Sequence, residues 1–463
     1  MKQNLTVVIM AAGLGTRMKS KKAKVLHEAG GDTLLNHVIR AALPLAPAEK
    51  IVAVIGHQAA EVRARVKTPG VRFALQEEQK GTGHAVACTR DLVEASGRLL
   101  ILNGDGPLIK TPTLESFLRQ DDLAGISGGV ITTEVDDPTG YGRIVRTGDG
   151  RIAAIVEQKA AKPEQLAIRE INTGVYWFDA ALFWQHIGEL QPNEKSGEYY
   201  LTDMVKILRR HGHSIAPNLV ADETELLGIN TRVELAVADR ILRHRKTEAL
   251  MLAGVTIEKP ETVTIDWDVE VGQDTVIEAH VALRGATRIG AECRIGTGSV
   301  FRDCEIADGA HILPYVVAES TKIGHSASVG PFARLRQNAV VGARCHIGNY
   351  VELKNTTMAQ GSKANHLAYL GDAFIGEATN VGAGTITCNY DGVHKHPTRI
   401  GDHVFVGSNS TLVAPLTVGS GAYIAAGSVI THEVAQDALA LGRAGQTDKP
   451  GWAKKRREER KKE

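Results

Sequence analysis

The stretch VGSNSTLVAPLTVGSGAYIAAGSVI, residues 406–430, places an apolar residue at every sixth position: Val406, Leu412, Val418, Ile424 and Ile430. A helix repeats its face every 3.6 residues and a strand every 2, so neither produces a period of six. A parallel β-helix does. Each hexad supplies one short flat side and three hexads make one coil. The apolar residue points into the prism and a small residue permits the corner. The same register runs through Ile265, Val271, Ile277, Leu283, Ile289 and Ile295, and again through Ile323, Val329, Leu335, Val341, Ile347 and Leu353. Glycine often follows, as in IGAECR, VGARCH and VGSGAY. Chance spacing does not hold one register through three blocks. The period breaks near 301–322, 354–374 and 386–399. These breaks read as excursions from the stack, and loops leaving a rigid scaffold often carry function.

Upstream, the grammar changes. LTVVIM, KIVAVIG and RLLILNGD read as strands, and LLNHVIRAAL has apolar residues at 34, 35, 38, 39, 42 and 43, a helical period. Apolar strands alternating with amphipathic helices imply an α/β fold, with a parallel sheet covered on both faces. Ligands in such folds bind beyond the carboxyl ends of the strands. From Thr231 to about Leu252 no glycine or proline interrupts, and Thr231 with Glu234 forms a capping box. The organisation expected is a nucleotide-binding domain at 1–228, a helical arm at 229–252 and a β-helix domain at 253–463.

The bulk numbers agree. The chain has 463 residues, too many for one ordinary core. Its formal net charge of +1 gives no global basic excess for nucleic acid. The five cysteines show no zinc-finger or redox spacing, and their number is odd. A reducing cytoplasm fits that usage, and no segment has the ~20 apolar residues of a membrane helix. The tail KKRREERKKE from Lys454 reads as a solvated or disordered end.

AAGLGTRM, after the first strand, is neither the dinucleotide fingerprint nor a P-loop. Its small residues Ala11, Ala12 and Gly13 let a ligand approach the backbone, where amides bind anions. Arg17 and Lys24 would neutralise a polyphosphate. LQEEQKGTGHA brings Gln76, Gly81 and Thr82, and Gln76 offers a donor and an acceptor to a base edge. NGDGP puts Asp105 at a strand end, a natural Mg²⁺ ligand facing a polyphosphate.

Nine motifs in order resemble the sugar-nucleotide pyrophosphorylases: AAGLGTRM, KVLHEAGG, QKGTGHA, NGDGP, TGYGRIV, IVEQK, EINTGVY, GEYYLTD and LGIN. Within them, the chain is most similar to the uridylyltransferase half of the bifunctional N-acetylglucosamine-1-phosphate uridylyltransferase / glucosamine-1-phosphate N-acetyltransferase family. The resemblance implies that Ala11, Ala12, Gly13, Lys24, Gln76, Gly81 and Thr82 bind nucleotide. It implies that Asp105 and Asn230 hold Mg²⁺, and that Gly142, Glu157 and Asn172 bind the acetylated sugar. The sequence departs from the family at Asn103, usually aromatic, and at Gly106, usually β-branched.

The region of the last two breaks is rich in polar groups: Arg334, Arg336, Lys354, His366, Tyr369, Asn380, Ala383, Asn389 and Tyr390 cluster around them. Arg334 and Lys354 suit a phosphate monoester, and a histidine suits a base for an amine attacking a thioester. From about Arg334 to Arg443 the chain resembles the acetyltransferase half of the same family. That implies His366 as base, with Arg334, Lys354 and Tyr369 on glucosamine-1-phosphate. It implies Asn380, Asn389 and Tyr390 near the sugar, and Ala383, Ser408, Ala426 and Arg443 on acetyl-CoA. It also implies a homotrimer of left-handed β-helices and two co-substrates, UTP and acetyl-CoA. The product would be UDP-N-acetylglucosamine, precursor of peptidoglycan and lipopolysaccharide. No membrane or nucleic-acid partner is expected. The rival readings are a pyrophosphorylase whose β-helix only assembles subunits, and a non-enzymatic regulatory subunit with the same two domains. The first has no reason to carry the His366 set. The second would be expected to lose the loop glycines and Lys24.

Overall fold

The structure is a computed structural model describing residues 4–119, 125–194 and 196–461. The last two residues of the basic tail lie outside these. Two compact units divide the chain at residues 245 and 246.

The first unit is built on a nine-stranded sheet. Its main path runs Ser214–Leu219, Ile126–Glu134, Glu170–Asp179, Arg98–Asn103, Leu5–Met10, Ile51–Ile55, Arg72–Leu75. Leu5–Met10 pairs in parallel with Arg98–Asn103 and with Ile51–Ile55. Alternation along these strands splits the core. Val8, Val52, Val54, Leu99 and Ile101 face one side, while Val7, Ile9, Ile51, Ala53, Leu100 and Leu102 face the other. Burial on both faces explains the near-continuous apolar runs. The amphipathic helix falls at Leu34–Ala42, capped by Thr33, whose side chain accepts from the Asn36 amide.

The sheet is mixed rather than wholly parallel, which corrects the expectation. Glu170–Asp179 runs antiparallel to both of its neighbours, Arg98–Asn103 and Ile126–Glu134. The crossover through the helix Thr111–Leu118 leaves one strand's width open between those two neighbours. A hairpin of Arg143–Arg146 and Ile152–Val156 then turns the chain back into the gap. The long helix runs Arg232–Leu252, and the capping box forms: the Glu234 amide donates to Thr231 Oγ1 at 3.2 Å, while the Thr231 amide donates to Glu234 Oε2 at 2.7 Å.

The second unit is a three-sided parallel β-helix. Its three sheets have 11, 10 and 9 strands, and each strand pairs in parallel with the strand three places on, except in the last coil, where Tyr423–Ile424 pairs with Leu439–Ala440 two places on. All of this pairing is parallel, consistent with the left-handed coil that the resemblance implies. Of the seventeen period-six residues named above, only Val271 is not buried. Full burial of such a side chain contributes roughly 1.5–3 kcal/mol.

Two of the three breaks are not excursions. From Phe301 the core residues continue as Ile306, Ile312, Ala318 and Ile323, and from Leu353 as Met358, Ala364, Leu370 and Ile375. In each case two corners are shortened by one residue, and the coil keeps all three faces. The corners beginning at Asp303 and Asn355 manage this with left-handed residues, at φ 52° and 48°. Only the break at 386–399 leaves the stack, between Ile386–Cys388 and Thr398–Ile400. The tail is solvated, as expected, but helical over Trp452–Arg460. Its Lys, Arg and Glu residues are good helix formers.

Phe301 is fully buried in the prism. Phe301→Ala should destabilise the β-helix unit by about 3–5 kcal/mol, read as a lower denaturation midpoint for that unit. A loss under ~1 kcal/mol would contradict a packed prism.

Candidate active sites

The carboxyl ends of Leu5–Met10, Arg72–Leu75 and Arg98–Asn103 open onto a cleft of about 570 Å³. It is lined by Ala11, Ala12, Gly13, Arg17, Lys24, Gln76, Gly81, Thr82 and Asp105, all anticipated from the sequence. Gly15 turns the loop at φ 62°, where a Cβ would lie 2.6 Å from Lys24 Cβ. A Cβ on Gly13 would meet nothing within 4 Å, so that glycine opens the floor to a ligand. One expectation narrows: the Ala11 amide donates to the Val54 carbonyl at 2.9 Å, so it is not available to an anion.

Lys24 is the centre of the cleft. Its ammonium pairs with Asp105 Oδ2 and donates to Asn230 Oδ1 at 3.1 Å, and Arg17 donates to the same Asn230 oxygen at 2.8 Å. Asn230 does not line the cleft but reaches it through these contacts. The Asn230 backbone amide donates to Glu234 Oε2 at 2.6 Å, so the capping box fixes its position. Two hard oxygens thus converge on one positive charge, the lysine ammonium standing where a cation would sit. That donor set fits Mg²⁺, which takes one or two protein oxygens and completes its shell with water and phosphate.

Gln76 is buried and oriented: its Nε2 donates to the Gly81 carbonyl at 3.1 Å and lies 3.0 Å from His84 Nδ1. Gly142, Glu157 and Asn172 form a second group outside the cleft lining. A Cβ on Gly142 would lie 3.5 Å from both Asn172 Cβ and Glu157 Oε1. Burial holds the Glu157 carboxyl above the usual range, and the Asp203 charge adds to this. Asn172 sits where the register of its strand slips against Ile126–Glu134, between Asn172 and Tyr176. Asn103, the departure from the family pattern, donates to the Thr173 carbonyl of that bulge at 2.9 Å. With Gly106 it lines a small cavity of about 20 Å³.

In the β-helix, Arg334, Glu352 and Tyr369 stand on successive rungs of one face, beside Arg336, Lys354 and Gly371. A Cβ on Gly371 would fall 2.6 Å from the Tyr369 hydroxyl and 2.9 Å from Asn389 Nδ2, so only glycine admits both. Lys354 is buried and donates to Asp372 Oδ2 at 3.0 Å. Asn355 donates to the other oxygen of Asp372 at 2.7 Å, and Asn389 contacts Asp372 Oδ2. Burial alone would raise the Asp372 pKa, but the bonds from Asn355, Lys354 and Asn389 outweigh it and lower the pKa. Lys395, on the 386–399 loop, is held below the ordinary lysine range by the Lys354 ammonium beside it. Two adjacent cations and Arg334 leave positive charge for an anion. Tyr390 stays exposed on the same loop.

His366 ends the strand Lys363–His366 on the neighbouring face, exposed at the corner that leads to Tyr369. Its Nδ1 lies 2.7 Å from Asn349 Oδ1. An amide oxygen only accepts, so Nδ1 carries the proton and Nε2 keeps its lone pair. Asn380 lies on the next rung of this face, opposite Lys363. The remaining residues stack along the same corner. The Gly384 amide donates to the His366 carbonyl, the Asn409 amide to the Ala383 carbonyl, and the Gly427 amide to the Ser408 carbonyl. A Cβ on Gly427 would lie 3.8 Å from Arg443 Cδ. His366, Ala383, Ser408, Ala426 and Arg443, far apart in sequence, therefore form one column.

Sequence reasoning missed Asp372, Lys395 and Asn349, whose importance lies in what they touch. It also missed Glu198 and Tyr200, which line the cleft from within the GEYYLTD motif.

A phosphate cleft at strand ends, followed by a hexapeptide β-helix, defines a nucleotidyltransferase joined to an acyltransferase. Residues 6–219 match the Nucleotidyl transferase family, and residues 317–437 match the GMPPB C-terminal domain. The chain is 55% identical over 458 residues to the Bifunctional protein GlmU of Solibacter usitatus (strain Ellin6076), covering 99% of this chain and 98% of that protein. It is 48% identical to the protein of that name from Koribacter versatilis (strain Ellin345), covering 99% of each. It is 44% identical to that of Acinetobacter baylyi (strain ATCC 33305 / BD413 / ADP1), covering 96% and 98%. The chain belongs to the GlmU family of bifunctional enzymes. It synthesises UDP-N-acetylglucosamine by acetyl transfer from acetyl-CoA to glucosamine-1-phosphate, then uridylyl transfer from UTP.

Asp372 anchors Lys354 and Asn389. Asp372→Ala should raise the KM for glucosamine-1-phosphate by about tenfold or more, since a charge-assisted contact is lost, and leave uridylyl transfer unchanged. Steady-state kinetics of the two half-reactions would check this, and an unchanged KM would contradict the anchoring role.

Proposed function

We propose that the 1–228 domain carries uridylyl transfer, that 253–463 carries acetyl transfer, and that 229–252 is the arm between them. The observation that carries the first assignment is the convergence of Asp105 and Asn230 on the Lys24 ammonium. Asp105 and Asn230 hold Mg²⁺, which when bound supplies positive charge to the UTP phosphates. Lys24 then turns to the phosphates together with Arg17. The backbone at Ala12 and Gly13 seats them, with Ala11, Gly81 and Thr82 shaping the walls. Gln76, its Nε2 already spent on Gly81, leaves Oε1 to accept the uracil N3–H. Gly142, Glu157 and Asn172 hold the acetylated sugar so that its phosphate oxygen attacks the α-phosphorus in line. The α–β bond breaks and pyrophosphate leaves. A phosphate is already ionised at neutral pH, so positioning and charge stabilisation carry the step.

In the second site, Arg334, Lys354 and Lys395 hold the phosphate of glucosamine-1-phosphate. Tyr369, Asn380, Asn389 and Tyr390 hold its sugar. Acetyl-CoA lies along the corner column against Ala383, Ser408, Ala426 and Arg443. His366 Nε2 takes a proton from the ammonium, and the freed amine attacks the thioester carbonyl. The C–S bond breaks as the tetrahedral intermediate collapses to the amide, the nitrogen's second proton passing to the departing coenzyme A thiolate or to solvent. Ser408 donates to the thioester oxygen or the departing sulfur. Asn349 keeps the imidazole in the tautomer this needs.

Asp105→Ala should abolish UDP-sugar formation and spare acetyl transfer. His366→Ala should lower acetyl transfer ~10²–10⁴-fold and spare uridylyl transfer from N-acetylglucosamine-1-phosphate. Assaying each half-reaction in both variants tests both assignments. Loss of both activities in either variant would point to a folding role instead.

The second half-site is a trimer's. Tyr315, Phe332 and Tyr350 stack on one another at the corner, with ring centroids 5.1 and 5.3 Å apart, and each is about half exposed. Exposed Leu367 continues this ladder on the rung of His366. An apolar stripe of that kind on a rigid prism favours cover by another copy. The copy that covers it reaches the His366 corner. Phe332→Glu should lower the sedimentation-equilibrium mass from trimer to monomer and depress acetyl transfer, not uridylyl transfer. A monomer with full acetyl transfer would overturn the shared site. Compartment follows the same reading: the five cysteines are free, and among the described residues no helix is long and apolar enough to cross a membrane. We place the enzyme in the cytoplasm.

A further inference from the structure

Neither reaction uses a cluster on the first unit, built by two short helices. Ala180–His186 ends on His186, and Asp203–Arg210 is followed at once by His211. Both carbonyl ends meet Glu189. His186 Nδ1 lies 2.7 Å and His211 Nε2 2.9 Å from Glu189 Oε1. The two imidazoles stack, with centroids 4.0 Å apart. The three ligand atoms all lie within 4.8 Å of one another.

We propose that His186 Nδ1, His211 Nε2 and Glu189 Oε1 form a binding site for a zinc-class transition metal. Two imidazoles and one carboxylate are a donor set for Zn²⁺, Co²⁺ or Ni²⁺ and not for Mg²⁺, which prefers oxygen and water. Ligand atoms around a tetrahedral zinc stand roughly 3.3 Å apart, from bonds of ~2.0 Å. The two nitrogen–oxygen contacts therefore need to open by only about half an ångström, and the two stacked rings need to tilt so that their nitrogens, within 4.8 Å of each other, both face the ion. Both nitrogens now donate to the carboxylate, so metal binding moves each proton to the opposite ring nitrogen or to solvent. Arg210 pairs with Glu189 Oε2, which leaves Oε1 for the metal and orients the carboxylate from behind. The helix carbonyl ends add negative potential that favours a cation. Water or an outside group completes the shell.

The test is zinc chloride titrated calorimetrically into tag-free, chelator-treated full-length protein, with Mg²⁺ present to fill its own site. Expected is one zinc per chain in the micromolar range. Cobalt chloride at the same site should give the visible absorption of a tetrahedral ion. His211→Ala removes an exposed ligand with little risk to folding and should weaken binding by more than about tenfold. Glu189→Gln should do the same, and both variants should keep uridylyl transfer. Zinc binding no tighter than millimolar, or unchanged in His211→Ala, would overturn the site.

Discussion

In the β-helix the strand amides donate to carbonyls on the next coil and many corner amides to carbonyls on the preceding one, and this vertical pairing fixes the whole second unit. Arg334 pairs with Glu352, Glu352 with Tyr369 and Tyr369 with Ile386. A strand cannot slip by one residue, because its apolar side chain would leave the prism and a polar one would enter. The pairing therefore converts sequence spacing into columns. Residues one coil apart, whatever the corner lengths between them, end up one rung apart. That is how His366, Ala383, Ser408 and Ala426 come to share a corner, although the excursion at 386–399 adds length between two of them.

The same constraint explains why the shortened corners cause no harm. Removing a residue at Asp303 or Asn355 changes the turn and leaves the rungs above it in register. A left-handed corner residue absorbs the difference at a modest local strain. An insertion is tolerated in the same way, provided both ends return to the ladder. The loop carrying Asn389, Tyr390 and Lys395 does so, with Ile386 pairing to Thr411 and Thr398 to Leu416. A rigid stack can thus hold a loop over a fixed face. Lys395 is brought to Lys354 by that loop and not by the repeat.

The prism core was legible because its signal is a repeat, and repeats survive any local ambiguity. The cleft was legible because glycine turns and strand ends follow from short-range chemistry. Asp372 was not. It lies in LGDAF among other corner residues, and only the three bonds it accepts distinguish it. Asn349 likewise reads as an ordinary IGN corner until its oxygen meets the His366 ring. The antiparallel strand Glu170–Asp179 was missed for another reason. Its burial on both faces gives it the apolar composition of a parallel strand, and direction is set by the hairpin before it. In the breaks, the pattern showed where spacing changed but not whether the chain left the stack, since a five-residue step and a loop both end the period.

Asn103 shows how the first unit accommodates a small polar residue where the resemblance implies an aromatic. An aromatic at that strand end would fill space beside Gly106, and the smaller pair leaves a cavity of about 20 Å³ there. That is room for about one water. In exchange Asn103 gains a donor that reaches the Thr173 carbonyl, inside the bulge that aims Asn172. The bulge is tight: a Cβ on Gly174 would come within 2.5 Å of Asn103 Nδ2, and Gly174 sits at φ 78°. Asn172 Oδ1 accepts from the Gly174 amide at 3.1 Å, so the chain of contacts runs from Asn103 through the bulge to Asn172. Packing area is lost and a directed hydrogen bond is gained. Asp105 keeps its place through all of this, because the strand end that carries it is set by the ladder to Leu5–Met10 and not by the side chain at 103.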